Sequence, residues 1–343
     1  MKKVKLADIA REARVGTATV ERVLNSRGNV SPEMVERVVV AARRLGYDRR
    51  LPERYHGIIR IEAIMMRPDT PFFIRLNKAF ARVAASLDSS IIIHRTFLDE
   101  LDPRSVARHI ATPGFRRSGL IIVAPDHPEV EARLRDLRAA GVAVVSIVSR
   151  IGDDDDFFVG IDNYAAGRTA AYYMTNMLKP RRGTLVALCH SGAYEVHRER
   201  IRGFSDYLAE HPDRYHIFAL VMFGRDDRLR SAENFEQALR SFPDIIGIYN
   251  AGGANSGIAS VLEQHYARSV TAANDRAIMW IGHELTDNTR RWMKSGLMNM
   301  VLDQAPEIQA RRAIDTVLRK IGFIDVEVST EPVRFLTINA ENL

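Results

Sequence analysis

The sequence predicts an α/β protein: a small three-helix head with a helix-turn-helix, followed by two doubly wound parallel-sheet subdomains. Past residue 57, short apolar runs alternate with amphipathic helical stretches, the pattern of parallel sheets covered on both faces. The first fifty residues instead carry two short helical patterns about a tight turn, with a third behind them. The two parts also differ in charge. Residues 1–56 hold 13 Lys and Arg against 7 Asp and Glu, whereas residues 57–343 hold 36 of each, so the whole formal charge of +6 lies in the head. A basic helical module on a neutral body is the electrostatic footprint of a DNA-binding head.

In the head, Leu6, Ile9, Ala10 and Ala13 share one face of a first helix, and Val15 fills the turn. A second helix from about Thr17 to Leu24 turns Val20, Val23 and Leu24 inward. Thr17, Ala18, Glu21 and Arg22 are left toward solvent, the face a recognition helix offers to the major groove. Ser31-Pro32-Glu33 opens a third helix with an N-cap, a proline tolerated at the first position and a carboxylate near the positive helix end. Gly46 is suited to stop it, and Met34, Val35, Val38, Val39, Ala42 and Leu45 are expected to complete the core.

The runs L-x-D-I-A-x-x-A-x-V, T-V-x-R-V-L-N and V-S-x-x-x-x-x-V-x-x-A-x-x-L-G-Y, in register over forty residues, resemble the headpiece of the lactose-repressor (LacI) family. The resemblance implies base contacts from Thr17, Ala18 and Arg22; an arginine on guanine O6 and N7 discriminates by about 1–3 kcal/mol. It also implies phosphate contacts from Thr19, Asn25 and the backbone near Leu6. Three residues depart from the pattern. Gly16 replaces a serine at the N-cap and loses a hydroxyl that could hold a phosphate. Arg14 replaces a turn glycine, at a cost of roughly 1 kcal/mol if the position needs a positive φ. Glu21 replaces a serine on the DNA face, where it repels phosphate or accepts from a cytosine amino group. The operator sequence therefore does not transfer from relatives.

After Tyr47 the family pattern continues into a hinge helix ending in a leucine that wedges into the minor groove. Residues 48–57, DRRLPERYHG, have no leucine at that position, and Pro52 is tolerated only where a helix starts. Arg49, Arg50 and Arg54 are candidates to follow phosphates or a narrow minor groove. Tyr55 admits an intercalating role or that of an ordinary linker residue.

The remaining stretch, 58–343, is long for one domain and suited to two. Strand patterns fall at 58–65, 90–94, 119–123, 143–149, 157–161, 184–189, 216–223, 245–249 and 278–281. Helical patterns fall at 73–87, 128–140, 165–178, 197–211, 234–241 and 256–264. The division expected is a head at 1–47, a hinge at 48–57, one subdomain at about 58–161 plus 298–322 and another at about 162–297 plus 323–343. Two such sheets meet at a cleft built from the carboxyl ends of their strands.

This stretch resembles the effector domain of the same family and the periplasmic sugar-binding proteins, the ribose binders in particular. Thr70-Pro71-Phe72-Phe73 matches N-P-F-F, whose aromatic faces lie against a sugar ring; two core phenylalanines at a helix start are the alternative. Ser149-Arg150 stands for the D-R pair, with Arg150 kept and the acid lost. Arg200 fits R-x-x-G-F, Gly282-His283-Glu284 stands for G-x-D, and Asp303-Gln304 matches the segment whose glutamine faces the pocket. The N-D motif is broken: Asn250-Ala251 is followed by Gly252-Gly253-Ala254-Asn255, so Asn250 or Asn255 is left for its polar role. Asp126, beside His127, is a candidate for the cleft or for a loop cap. The ligand set implied is Phe72, Phe73, Asp126, Arg150, Arg200, Asn250, Glu284 and Gln304, suited to a small sugar or polyol because buried hydroxyls need polar partners and rings need aromatic faces.

Enzyme readings lack their motifs: there is no G-x-G-x-x-G, no G-x-x-x-x-G-K-[ST] and no G-x-S-x-G. No Cys/His spacing suits a metal, the acidic run 153–156 reads as a solvated loop, and the single cysteine, Cys189, reads as a buried strand residue. No cofactor and no catalytic residue is expected. With no apolar run near twenty residues and no signal peptide, a cytoplasmic protein without a membrane partner is expected. The end of the chain has a strand pattern at 332–339 in place of the leucine-heptad helix of the family tetramer, so the resemblance implies a homodimer on a pseudo-palindromic operator. The expectation is a transcriptional repressor controlled by a sugar-like ligand. The alternatives are a transport-type sugar binder, which the basic head disfavours, and a constitutive DNA binder with a vestigial pocket.

Overall fold

In the computed structural model, residues 4–25, 30–45, 47, 58–152, 157–268 and 277–343 are described. The head folds from its own periodicity: α1 (Leu6–Ala13), α2 (Thr17–Leu24) and α3 (Pro32–Arg44) bury Ile9, Ala13, Val20, Val23, Val35, Val38, Val39 and Ala42 in one cluster, with Val15 packed against it. Met34, expected in that core, is 43 % exposed, while the next residue, Val35, turns into it. The backbone N–H of Met34 is capped by Ser31 Oγ at 3.4 Å, as the S-P-E start requires. Arg14 is left-handed, with φ 51°. The guanidinium of Arg37 donates to the carbonyls of Ala13 (2.6 Å) and Arg14 (3.0 Å), satisfying the end of α1 and holding the turn that glycine would otherwise favour.

The body contains two sheets. The first, in order β2-β1-β3-β4-β5, comprises β1 (Ile59–Met66), β2 (Ile91–Leu98), β3 (Gly119–Ile122), β4 (Ala143–Ile147) and β5 (Phe158–Val159), all parallel. Around it lie α4 (Pro71–Ala85), α5 (Pro103–Ala111) and α6 (Pro128–Ala139). The second sheet, in order β11-β10-β9-β8-β6-β7, comprises β6 (Gly183–Cys189), β7 (His216–Phe223), β8 (Ile245–Asn250), β9 (Met279–His283), β10 (Met300–Asp303) and β11 (Leu336–Ile338); only β11 runs antiparallel. With it come α7 (Asn163–Leu178), α8 (Glu195–Glu210), α9 (Arg228–Ser241), α10 (Asn255–Arg268) and α11 (Asp287–Lys294).

The assignment of 298–322 to the first subdomain needs correction. β10 pairs with β9 and β11 in the second sheet, and the chain returns to the first subdomain only at α12 (Pro306–Lys320), whose Val317 meets Gly119 of β3. Helices α5, α11 and α12 lie outside the helical patterns read from the sequence.

One buried polar group in the first sheet was not anticipated. Glu62, in the middle of β1, is fully buried; it accepts from Thr96 Oγ1 (2.8 Å), lies 2.7 Å from His109 Nε2 and pairs with Arg117 at 3.0 Å. Its partners arrive from β2, α5 and the loop before β3, so no local pattern reports the cluster.

Candidate functional site

The carboxyl ends of both sheets converge on a cavity of about 390 Å³, within the size range of small-molecule sites. Its wall is assembled by one repeated device: the residue just past a strand end points into the cleft. Arg67 follows β1, Glu100 follows β2, Val148 follows β4, His190 follows β6, and Glu284 and Gln304 follow β9 and β10. Six non-glycine residues with positive φ, namely Arg67, Val148, Arg225, Asp226, Glu284 and Ala305, lie at or beside this cleft. Left-handed backbone is costly for a β-branched residue such as Val148, and such strain concentrates where the surrounding structure must aim side chains.

Phe72 and Phe73 stand in the first turn of α4, which Pro71 opens after Thr70. Both line the cavity, edge to face, with ring centroids 5.3 Å apart. On the opposite wall Arg200, 2 % exposed, donates from Nε to Asn163 Oδ1 and from Nη1 to the carbonyl of Ala251, each at 2.9 Å. The R-x-x-G-F spacing explains how it arrives there. A Cβ on Gly203 would lie 2.1 Å from the carbonyl oxygen of Tyr164, and one on Gly167 2.0 Å from that of Arg200. Only bare backbone on both helices lets α8 approach α7 closely enough for Arg200 to reach Asn163. Phe204 then stacks on Tyr249, with centroids 5.0 Å apart.

Glu284 is buried, receives a hydrogen bond from Gln304 Nε2 on Oε1, and leaves Oε2 without a partner. Burial, aided by the charge of Asp303 and opposed by Gln304, Arg200 and Arg75, pushes its carboxyl up to about 8. Burial and the Arg200 charge hold His197 and His283 well below the usual imidazole range, so both are neutral at pH 7. Arg200 Nη2, His197 Nδ1 and Gln304 Oε1 are likewise buried without partners. Such groups are expensive to leave unpaired, and here they line a cavity.

Of the expected ligand residues, Phe72, Phe73, Arg200, Glu284 and Gln304 line this cavity; Asp126, Arg150 and Asn250 do not. Asn250 lies behind the wall, fully buried, donating to Asn255 Oδ1 (2.8 Å) and accepting from the Gly252 N–H (3.1 Å). It positions Asn255, which does line the cavity and whose Nδ2 donates to the His283 carbonyl. Asp126 accepts from Arg198 at 2.8 Å and from the Gly152 N–H at 3.3 Å, so it acts as a tie between subdomains; its neighbour His127 caps α6. Arg150 is exposed and lies over the Phe158 ring, 4.4 Å from its centroid. Arg67, Glu100, His190, Tyr194, His197 and Trp292 line the cavity without having been expected. Their position at strand and helix ends was the available signal, but no motif marked them.

Several contacts bridge the cleft. Arg67 Nη1 donates to the Arg225 carbonyl at 2.6 Å; Glu100 joins His190 (3.0 Å) and accepts from Tyr194 OH (2.7 Å). Burial works against the Glu100 carboxylate, yet these bonds and the Arg67 charge hold it below the usual range. Arg75 of α4 binds Asp303 at the end of β10 and Glu307 of α12. In the head, Thr17, Ala18, Glu21, Arg22 and Asn25 are exposed, while Leu6 and Thr19 are half-buried and Gly16 forms the N-cap of α2. Arg49 and Arg50 lie outside the described residues.

Residues 62–323 match the model of the periplasmic binding protein domain, and residues 5–50 that of the bacterial regulatory proteins, lacI family. The chain is 29% identical over 175 residues to the HTH-type transcriptional regulator RegA of Clostridium acetobutylicum, covering 49% of this chain and 51% of RegA. It is 35% identical over 123 residues to the ribose operon repressor of Halalkalibacterium halodurans, covering 32% and 37%. The chain thus spans about half the length of RegA and about a third of the ribose repressor. Among solved structures, GanP, a glucose-galactose binding protein from Geobacillus stearothermophilus, superposes with a TM-score of 0.70 at 18% identity, over 84% of this chain and 99% of GanP. That likeness shows the shared fold of the body. By its residues 62–323 the chain belongs to the periplasmic binding protein domain family, and its residues 5–50 are a lacI-family helix-turn-helix head.

Proposed function

We propose that the protein is a sequence-specific DNA-binding transcriptional repressor whose operator affinity is set by a small sugar or polyol-like ligand in the cleft. The observation that carries this reading is the pairing, on one chain, of a lacI-family head with a cavity whose aromatic faces stand opposite buried, unpartnered polar atoms. Aromatic faces suit the apolar side of a sugar ring, and the polar atoms suit its hydroxyls. The names of RegA and the ribose operon repressor agree with the regulatory part and the name of GanP with the sugar. The fused head separates this reading from a transport-type binder.

A ligand touching both walls favours the closed arrangement by the difference in its affinity for the two states, and only that difference can move the heads. The ties from Arg67, Glu100 and Arg75 are the contacts that such a ligand reinforces. The protein acts as a homodimer in the cytoplasm, two heads reading a pseudo-palindrome. Among the described residues no helix is long and apolar enough to cross a membrane.

The test is selection of a binding site from random DNA by gel shift, followed by titration of that complex with sugars and polyols that raise the melting temperature. A selected palindrome whose shift responds to a stabilising ligand supports the reading. Failure to select any DNA sequence sinks it.

A further inference from the structure

The polar groups of the cleft differ in whether they are already satisfied. Three of the acids that line it are committed, Glu100 to His190 and Tyr194, Asp226 to the Gly253 N–H (2.7 Å) and Asp227 to the Arg230 N–H at the start of α9, while Asp69 stands exposed at the mouth. Arg67 lies 3.5 Å from Glu100 and 3.9 Å from Asp226. The floor is different. Arg200 is buried, both of its hydrogen bonds go to neutral acceptors, and its Nη2 has no partner; among the described residues no carboxylate forms an ion pair with it.

Burial outweighs the longer-range attraction of Glu284, Asp226 and Glu195, which act on that charge only without an ion pair. His197 and His283 are neutral at pH 7, and the Glu284 carboxyl, pushed up to about 8, is mostly protonated there. Ser149 and Ala251 occupy the two motif positions at which the resembled patterns carry an aspartate. Ser149 Oγ instead accepts from the Val196 N–H, and Ala251 offers Arg200 only a carbonyl. A buried guanidinium without a directly paired counter-charge is costly, and a ligand that brings a carboxylate into contact lowers the cost.

We propose that the effector is a sugar acid, a polyhydroxy monocarboxylate whose carboxylate binds Arg200 Nη2 while its hydroxyls donate to Gln304 Oε1 and His197 Nδ1. Phe72 and Phe73 then cover its carbon skeleton, and protonated Glu284 donates from Oε2 where an ionised carboxylate would repel. A phosphate ester brings two charges to a floor with one unpaired guanidinium. This inference rests on the reading of the cleft as a sugar site.

The experiment measures binding to the full chain by calorimetry and thermal shift, with gluconate, glucuronate and galacturonate set against glucose, galactose, sorbitol and glucose 6-phosphate. An acid is expected to bind at least about tenfold tighter than its neutral counterpart, a step of about 1.4 kcal/mol. Glucuronamide, which keeps the hydroxyls and removes the charge, isolates the carboxylate without altering the protein; glucuronate and glucuronamide binding equally would overturn the proposal. Arg200→Gln is expected to abolish the preference for acids, and retention of that preference in the folded variant overturns it too. Neutral sugars binding as tightly as the acids, or a response confined to the phosphate, sink the inference and leave the sugar site standing. No response to any member of either panel removes the sugar reading itself, and the inference with it.

Discussion

The head and the body recognise their partners in opposite ways. The residues of α2 proposed to face DNA, Thr17, Ala18, Glu21 and Arg22, are exposed and follow one another on a single helix. The groups proposed to face the ligand, Arg200, Glu284, Gln304 and His197, are each under 10 % exposed and come from α8 and from the ends of β9 and β10. An exposed reading face tolerates substitution without loss of fold. A buried one is inseparable from the packing that aims it, so mutations there strike stability and binding together.

The sharpest break of that comparison is Gly203→Ala. Its Cβ would meet the Tyr164 carbonyl, forcing α8 from α7 and carrying Arg200 away from Asn163. A loss of roughly 3 kcal/mol of stability, the upper end of overpacking costs, is expected in denaturant unfolding, together with loss of ligand binding. Next, Arg22→Ala is expected to remove operator discrimination, about 1–3 kcal/mol, while leaving the ligand-induced thermal shift intact. An unchanged footprint on the selected operator would show that Arg22 does not read bases. Phe73→Ala is expected to weaken ligand binding by about tenfold through loss of one aromatic face, measured by calorimetry with the head's DNA binding preserved.

Two smaller effects concern stability alone. The Glu284 carboxyl titrates near 8 in the fold against an ordinary value of 4.5, so the folded state keeps a proton that the unfolded chain has released. Its contribution is complete below the ordinary value and is lost as pH rises through the folded one. Near pH 6.5 the two depressed histidines, still half protonated in the unfolded chain, offset that slope; their opposition fades above about pH 7, and between about pH 7 and 8 stability is expected to fall by less than the roughly 1.4 kcal/mol per pH unit of one full proton. Glu284→Gln should flatten that slope; a variant with the wild-type slope would assign it to another group. Arg14→Gly removes a left-handed side chain at φ 51° and is expected to stabilise the head by roughly 1 kcal/mol, read from its melting temperature.

Much of the head was legible because its determinants are local. Helical periodicity placed Ile9, Val20 and Val38 in the core, and a short S-P-E run marked the start of α3. In the body, the alternation of apolar strands and amphipathic helices announced two parallel sheets, and of the residues that the motifs marked, Phe72, Phe73, Arg200, Glu284 and Gln304 line the cavity. Asn250, Asp126 and Arg150 lie off the cavity wall for a common reason: a residue at a strand end can face the cleft, the wall behind it or the outside. The backbone turn that chooses among these is not encoded in residue type.

The sequence by itself determined the periodicities, the charge of the head and the residue types available to each half, since these depend on near neighbours along the chain. Tertiary structure alone decided that β10 joins the second sheet before α12 returns to the first, and that Glu62 finds Thr96, His109 and Arg117. It also decided that Arg200 is buried among neutral acceptors with one amino group left over. Burial and pairing depend on which distant segments meet, and that follows from the packing of whole layers.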